Sequence, residues 1–302
     1  MNFLEEINIA LSNTVIFSIF FFILGTCLAS FFNVVVFRYP KIIDSENASE
    51  IKEWFKEKNI TIPEKINEYI SNINLFFPSS YCYSCNNLLK WYHNIPILSY
   101  IFLKGKCGFC KTPYSIQYPI VEFLGGIIFL VSYLYYFPKF GLEVFILASI
   151  FFMMTYLLLL IDVKTMFLPD VLNYSLMWIG IIGSLLSIKL IDITLHDSLW
   201  GIIVGYTILW IFAIVGKKIK GIDIIGNGDL KLVAAIGAFT GIPGVIFTIF
   251  ASPFIGIFSY YLYFKFNKKE EPQFPYGPSL IITSWVYLFY GKEILKCLNL
   301  IV

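Results

Sequence analysis

Two acidic motifs and four regularly spaced cysteines stand out in a chain otherwise poor in reactive side chains. The first motif is Leu160-Ile161-Asp162-Val163-Lys164-Thr165-Met166-Phe167-Leu168-Pro169-Asp170; the second is Gly226-Asn227-Gly228-Asp229-Leu230-Lys231. Each sits at the edge of an apolar run, where an ionisable group is costly and is by default a functional candidate. A carboxylate at a helix start is also a common cap. That reading suits Asp170, which opens an apolar run, but not Asp162, which closes one. Two aspartates on neighbouring helices are enough for acid–base hydrolysis of a peptide. One, ionised, takes a proton from water; the other, protonated, donates to the carbonyl oxygen or the leaving amine. Held close in a low dielectric, the two share one proton rather than ionise together. Gly226 and Gly228 remove side chains just before Asp229, so the backbone of an extended substrate has room to approach.

The six cysteines divide sharply. Cys27 and Cys297 lie in apolar runs and read as packing residues. Cys82, Cys85, Cys107 and Cys110 form two Cys-x-x-Cys pairs separated by 21 residues, a supply of four thiolates that suits a tetrahedral zinc ion. With four sulfurs the shell is full and leaves no position for water, so the expected zinc is structural. Disulfides are the alternative, disfavoured in a reducing compartment. His93, in the segment Trp91 to Tyr100 between the pairs, is a tempting fifth ligand but reads as a surface or interface residue.

These groups must be positioned by a chain that is 58% hydrophobic and 14% charged, with a mean hydropathy of +0.76. Soluble domains are nearer ~45–50% and ~25%, so the solvent here is lipid. The net charge of +2 gives no reason to expect a nucleic-acid partner. Residues 15–37 are uncharged and long enough to cross a bilayer of ~30 Å. The start, Asn2-Phe3-Leu4-Glu5-Glu6, lacks the basic residues of a cleaved signal peptide. Further apolar runs follow at 118–137, 143–161, 171–189, 199–216, 230–242, 245–264 and 279–298. The sixth and seventh spans are joined by Gly241-Ile242-Pro243-Gly244 as a tight hairpin. The expectation is an all-α integral membrane protein of about eight transmembrane helices, with a cytoplasmic zinc-binding loop between the first and second. Residues 1–37 would be the first helix, 38–117 the loop domain and 118–302 a membrane domain of about seven helices. Within the loop, the Glu-, Lys- and Asn-rich residues 44–76 could form two short helices, with Pro63 near the start of the second. With the amino terminus outside, only Lys139, Lys189, Lys292 and Lys296 of the 22 basic residues fall outside. The positive-inside rule therefore puts the loop and both acidic motifs on the cytoplasmic side.

The order of these motifs resembles that of the bacterial prepilin peptidases, the type IV leader peptidases. The resemblance begins with Ala29-Ser30-Phe31-Phe32-Asn33-Val34-Val35 and Arg38-Tyr39-Pro40. It continues through the cysteine module, Trp91 to Ser99, and Tyr118-Pro119-Ile120-Val121-Glu122. Asp162 with Leu168-Pro169-Asp170, Gly226 to Lys231, and Pro275-Tyr276-Gly277-Pro278 complete it. The segment 41–79 carries no such motif, and Tyr276 stands where Phe is commoner. The resemblance implies that Asp162 and Asp229 are the catalytic pair of an inner-membrane aspartyl endopeptidase. Gly226, Gly228, Lys231, Pro169 and Asp170 would then line the active-site loops. It implies substrates of prepilin or pseudopilin type, cut after Gly behind a basic leader. It also implies N-methylation of the new amino terminus with S-adenosylmethionine as cosubstrate, by the region that contains Asn94, Gly105 and Glu122. These three could equally be two turn residues and the start of a span. Two other readings stay open: an intramembrane aspartyl protease without methyltransferase activity, and a transporter with a regulatory zinc domain. A third is a non-catalytic assembly component that uses zinc for contacts.

Overall fold

The computed structural model describes residues 14–58, 74–75, 79–82, 84–221, 225–267 and 274–297. They form α1 (Thr14–Glu57), a 3₁₀ turn (Trp91–Asn94), α2 (Leu98–Phe102), α3 (Gln117–Phe140), α4 (Leu142–Thr165), α5 (Asp170–Leu185), α6 (Leu195–Lys220), α7 (Asn227–Asn267) and α8 (Gly277–Cys297). The all-helical expectation holds: extended pairing among the described residues is limited to two isolated bridges, Tyr81 with Leu88 and Lys106 with Pro113.

Five helices, α1, α3, α4, α6 and α7, are long and apolar enough to cross a bilayer by themselves. About eight were expected, and the difference has local causes. The run at 171–189 gives α5, a helix of 16 residues. The runs at 230–242 and 245–264 lie in one 41-residue stretch that leaves helical geometry at Gly241 (φ 64°, ψ −170°). Glycine adopts that conformation without a Cβ clash, and Pro243 follows where a chain without an amide hydrogen restarts a helix at little cost. The last run, in α8, is interrupted by Lys292, Glu293 and Lys296.

The described residues fall into two compact units, one of Val15–Leu130 and one built chiefly from Val131–Val302. In the first, α1 packs on the start of α3. Gly25 lies against the Gly125 carbonyl and the Phe129 side chain, and Phe21 stacks on Phe129 with centroids 5.9 Å apart. The helix does not stop where the apolar stretch ends at Phe37. It runs on through Pro40 to Glu57, so residues 44–57 extend α1 rather than forming a separate short helix. Pro63 and the expected second helix lie outside the described residues.

In the second unit, α4 and α7 form the centre: 67% and 78% of their most apolar stretches are buried within the protein, against 17% for α6. Phe151, Phe152, Leu158 and Ile161 of α4 and Leu232, Ala235 and Ile236 of α7 exclude solvent fully or almost so. Between lipid-soluble helices burial of apolar surface supplies little drive, and close backbone approach through small residues takes its place. The seam between α6 and α7 works in this way, since a Cβ at Gly201 or Gly237 would collide with the other's carbonyl. Thr194 and Asp197 close a capping box at the start of α6, with Asp197 N–H donating to Thr194 Oγ1 at 3.2 Å and Thr194 N–H to Asp197 Oδ2 at 2.8 Å.

Candidate active site

Asp162 occupies the last turn of α4. The helix ends on Met166 in the left-handed region (φ 52°), whose N–H donates to Asp162 O at 2.8 Å. The Asp162 residue is only 4% exposed. Its Oδ2 accepts a 3.0 Å hydrogen bond from Gly277 N–H, the first residue of α8. The first amides of a helix lack intrahelical partners, so here one of them finds a carboxylate 115 residues away. A Cβ on Gly277 would sit 2.6 Å from that same Oδ2, and this contact therefore requires glycine.

Asp229 is the third residue of α7, with its N–H donating to Gly226 O at 3.1 Å. Its carboxylate lies close enough to Asp162 for the two charges to repel. The glycines beside it have separate tasks. A Cβ on Gly228 would stand 2.8 Å from Leu168 Cβ, so Gly228 lets the 166–169 turn close over the start of α7. A Cβ on Gly226 would come within 3.3 Å of Asp229 Oδ2, so its absence keeps that oxygen approachable. The structure thus brings together the ends of α4, α7 and α8 around two carboxylates.

Asp170 does something other than capping. Pro169 takes the N-cap position of α5 without a side-chain cap hydrogen bond, and Asp170 follows as the acidic residue of the first turn. Both its oxygens accept from Lys231 Nζ at 2.7 Å. This ion pair ties the start of α5 to the first turns of α7, and Lys231 also lies 5.5 Å from the Tyr174 ring centroid. Tyr276, next to Gly277, shares a 2.6 Å hydroxyl hydrogen bond with fully buried Ser252 of α7. Neither Gly277 nor Ser252 was given a role from the sequence. The available signal for Gly277 was a lone glycine held between Tyr276 and Pro278.

The four loop cysteines converge as expected. Each Cys-x-x-Cys pair sits in the same kind of knuckle. Asn86 N–H and Lys111 N–H donate back to Cys82 O and Cys107 O at 2.7 and 3.1 Å. Cys82 N–H and Cys107 N–H reach forward to Asn87 O and Thr112 O at 3.0 and 2.9 Å. Asn86 and Lys111 both take the left-handed conformation this turn needs (φ 56° and 63°). All four sulfurs lie within 4.8 Å of one another, Cys82 and Cys110 at 3.7 Å, and none forms a disulfide. A Zn–S length of ~2.3 Å implies a tetrahedral edge of ~3.8 Å, so the donor set fits that ion. Side-chain and backbone hydrogen bonds from Thr112 draw the Cys110 thiol down to about 6, and the Ser84 and Cys85 amides draw Cys82 down, while desolvation and the neighbouring Cys110 and Cys82 sulfurs outweigh the Asn87 amide and push Cys85 up to about 11. Thiols of lowered pKa are readily deprotonated, the form that binds metal.

Of the remaining candidates, Asn94 and Glu122 line one cavity within the 15–130 unit. Gly105 does not. It occupies a turn (φ +66°) in which a Cβ would stand 2.9 Å from the Tyr100 ring, so it seats Tyr100 against that cavity. His93 lines the cavity too, half-buried beside Gly108.

A family model described as the bacterial peptidase A24 N-terminal domain matches residues 23–136, and one described as the type IV leader peptidase family matches residues 149–260. The chain is 32% identical over 283 residues to a prepilin leader peptidase/N-methyltransferase of Neisseria gonorrhoeae, covering 92% of each protein. It is 32% identical to proteins of the same description from Aeromonas salmonicida (strain A449), over 91% of each chain, and Stutzerimonas stutzeri, over 94% of each. No solved structure matches at a significant level.

Proposed function

The chain belongs to the type IV leader peptidase family, and on that premise we propose that Asp162 and Asp229 are the pair with which it removes the leader of prepilin-type substrates before methylating the new amino terminus. The observation that supports the assignment is the convergence of two remote acids, one at the end of α4 and one at the start of α7, in an otherwise apolar unit. One carboxylate, ionised, takes a proton from the attacking water. The other, protonated, donates first to the scissile carbonyl oxygen and then to the departing amine. Gly277 N–H engages Asp162 Oδ2, which leaves Oδ1 as the oxygen that exchanges protons. The bare backbone at Gly226 and the lid of Leu168 over Gly228 shape a slot for extended chain.

Cutting behind a basic leader leaves an α-amine with a pKa of ~7.7–8.0, so a useful fraction is neutral. When bound, S-adenosylmethionine supplies an electrophilic methyl carbon. The amine lone pair forms the C–N bond, the electrons of the C–S bond return to sulfur, and the ammonium proton passes to solvent. The methyl acceptor exists only after cleavage, so the two reactions are ordered. The cysteine cluster holds a structural zinc ion, and the loop and both aspartates face the cytoplasm of a multi-pass inner-membrane protein.

The test is cleavage, by purified protein in lipid, of a peptide with a basic leader followed by Gly and Phe. Asp162→Asn and Asp229→Asn should each slow it by roughly 10²–10⁴-fold, the usual weight of a general acid or base. Normal processing by either folded variant would end the assignment. A transporter or an assembly component would leave the peptide whole.

A further inference from the structure

A second cavity, of about 460 Å³, lies in the 131–302 unit at the end of the bundle away from the aspartates. Its walls are the last turns of α3 (Tyr135, Lys139), the connector between α5 and α6 (Lys189, Leu190) and the last turns of α8 (Phe289, Glu293). α4 begins directly after this end of α3 and carries Asp162 20 residues beyond Leu142. At ~1.5 Å per residue the two ends are about 30 Å apart, the thickness of the hydrocarbon layer of a bilayer. The cavity therefore sits at the membrane boundary opposite the two aspartates.

On the topology proposed above, lysines are out of place at this boundary. Of the 22 basic residues only Lys139, Lys189, Lys292 and Lys296 fall there, against the positive-inside bias, and two of these four line the cavity. Both are held. Lys139 Nζ stands 3.6 Å from the Tyr135 ring centroid, and the Tyr135 hydroxyl donates to Phe289 O at 2.9 Å, which fixes that ring against α8. Lys189 projects from a connector pinned by buried Leu190 and by the Ile188 N–H, which donates to Gly183 O at 2.9 Å. Its ammonium lies 3.7 Å from Oδ1 of Asp192, a side chain almost fully in solvent, so that pairing is weak. Glu293 has no ion-pair partner among the described residues. The cavity thus presents two ammonium groups and an unpaired carboxylate beside the half-exposed ring of Phe140.

We propose that this cavity seats the headgroup of an ethanolamine phospholipid, with its phosphate on Lys139 and Lys189 and its primary ammonium on Glu293. The chemistry matches part for part. Lysine ammonium groups recognise phosphate as point charges, and basic pockets between membrane helices hold lipid headgroups. A primary ammonium brings three N–H donors to a carboxylate. A choline headgroup has none to bring, and a glycerol headgroup would leave Glu293 beside a phosphate with no cation of its own. Phe140 and Leu190 offer apolar surface where the acyl chains begin. Such a lipid would bridge α3, the α5–α6 connector and α8, three elements far apart in the chain.

The test is native mass spectrometry of the delipidated full-length protein in detergent, titrated with phosphatidylethanolamine, phosphatidylglycerol or phosphatidylcholine of identical acyl chains. Thermal unfolding is followed in parallel with the same lipids and with inorganic phosphate. Wild-type protein should bind the ethanolamine lipid tightest. Lys139→Gln and Lys189→Gln should each weaken it about fivefold, the weight of one basic side chain on phosphate at a membrane surface. Glu293→Gln should erase the preference for ethanolamine over glycerol. Lys296→Gln, at the same end but outside the cavity, should leave binding unchanged. Equal affinity of wild type for the three lipids, or equal losses in Lys139→Gln and Lys296→Gln, would overturn the site. Inorganic phosphate that stabilises as strongly as the lipid would show a simple anion site and overturn the lipid assignment. Should a variant fail to fold, cross-linking of photoactivatable phosphatidylethanolamine to wild-type protein decides. Label within residues 135–140, 189–192 or 288–293 supports the proposal, and label confined to other segments overturns it.

Discussion

Replacing Gly277 by alanine isolates the contribution of one backbone amide. The added Cβ would lie 2.6 Å from Asp162 Oδ2 and 3.2 Å from Cγ. Ordinary carbon–oxygen contacts begin near 3.4 Å, so the carboxylate or the start of α8 must retreat by about 0.8 Å. The 3.0 Å hydrogen bond from Gly277 N–H cannot survive that shift at its present length. A displacement of ~1 Å in a catalytic group costs on the order of 10²-fold, equivalent to about 2.7 kcal/mol of transition-state stabilisation. The loss should appear in kcat, with KM nearly unchanged, because Asp162 acts on the reacting atoms rather than on the body of the substrate. The fold should tolerate the change, since Gly277 has no positive φ and alanine favours helix. Gly256→Ala is the matched control, because its Cβ would meet nothing nearer than Tyr276 at 3.4 Å. The assay is steady-state cleavage of the leader peptide, with thermal unfolding followed in parallel. A Gly277→Ala enzyme with wild-type kcat, or one whose loss merely tracks a lower Tm, would refute the reasoning.

Lys231→Met should lower stability by only ~0.2–1 kcal/mol in thermal unfolding, because Asp170 is about half exposed (53%) and exposed ion pairs are weak; most cleavage activity should remain. Metal analysis of protein purified without chelator should find about one zinc per chain, lost in Cys107→Ser with Cys110→Ser because the four-sulfur shell is broken. The same double variant should lose methylation more than cleavage, since Cys82 and Cys107 also line the cavity walled by Tyr100 and Glu122. Asp229→Asn should leave the precursor intact yet methylate a synthetic pre-cleaved peptide, which mass spectrometry of the product amino terminus can read.

Some of this site was legible in the chain and some was not, for physical reasons. Asp162 and Asp229 declare themselves because a carboxylate beside an apolar run is costly wherever the run ends up. The cysteine knuckles are equally local: their spacing and their turn hydrogen bonds lie within six residues. The partner of Asp170, Lys231, stands 61 residues away, and no local rule finds such a pair. Gly277 escaped for the same reason. Its function exists only where the start of α8 meets the end of α4. Helix boundaries failed where composition is ambiguous. Residues 38–57 are polar enough to read as loop, yet they continue α1.

The glycine seam between α6 and α7 also bears on how the protein meets membranes of different thickness. Asp229 and Gly237 lie on one helical stretch before the Gly241 break, so about 12 Å separates them along the axis at ~1.5 Å per residue. Gly237 is in turn locked backbone to backbone against Gly201. The vertical position of Asp229 relative to α6 is therefore set by a contact between two main chains. Helices held only by their apolar length adjust by tilting or sliding when hydrophobic thickness changes. Here such adjustment must move α6 and the first arm of α7 as one body, and the carboxylate keeps its depth relative to the protein whichever lipids surround it.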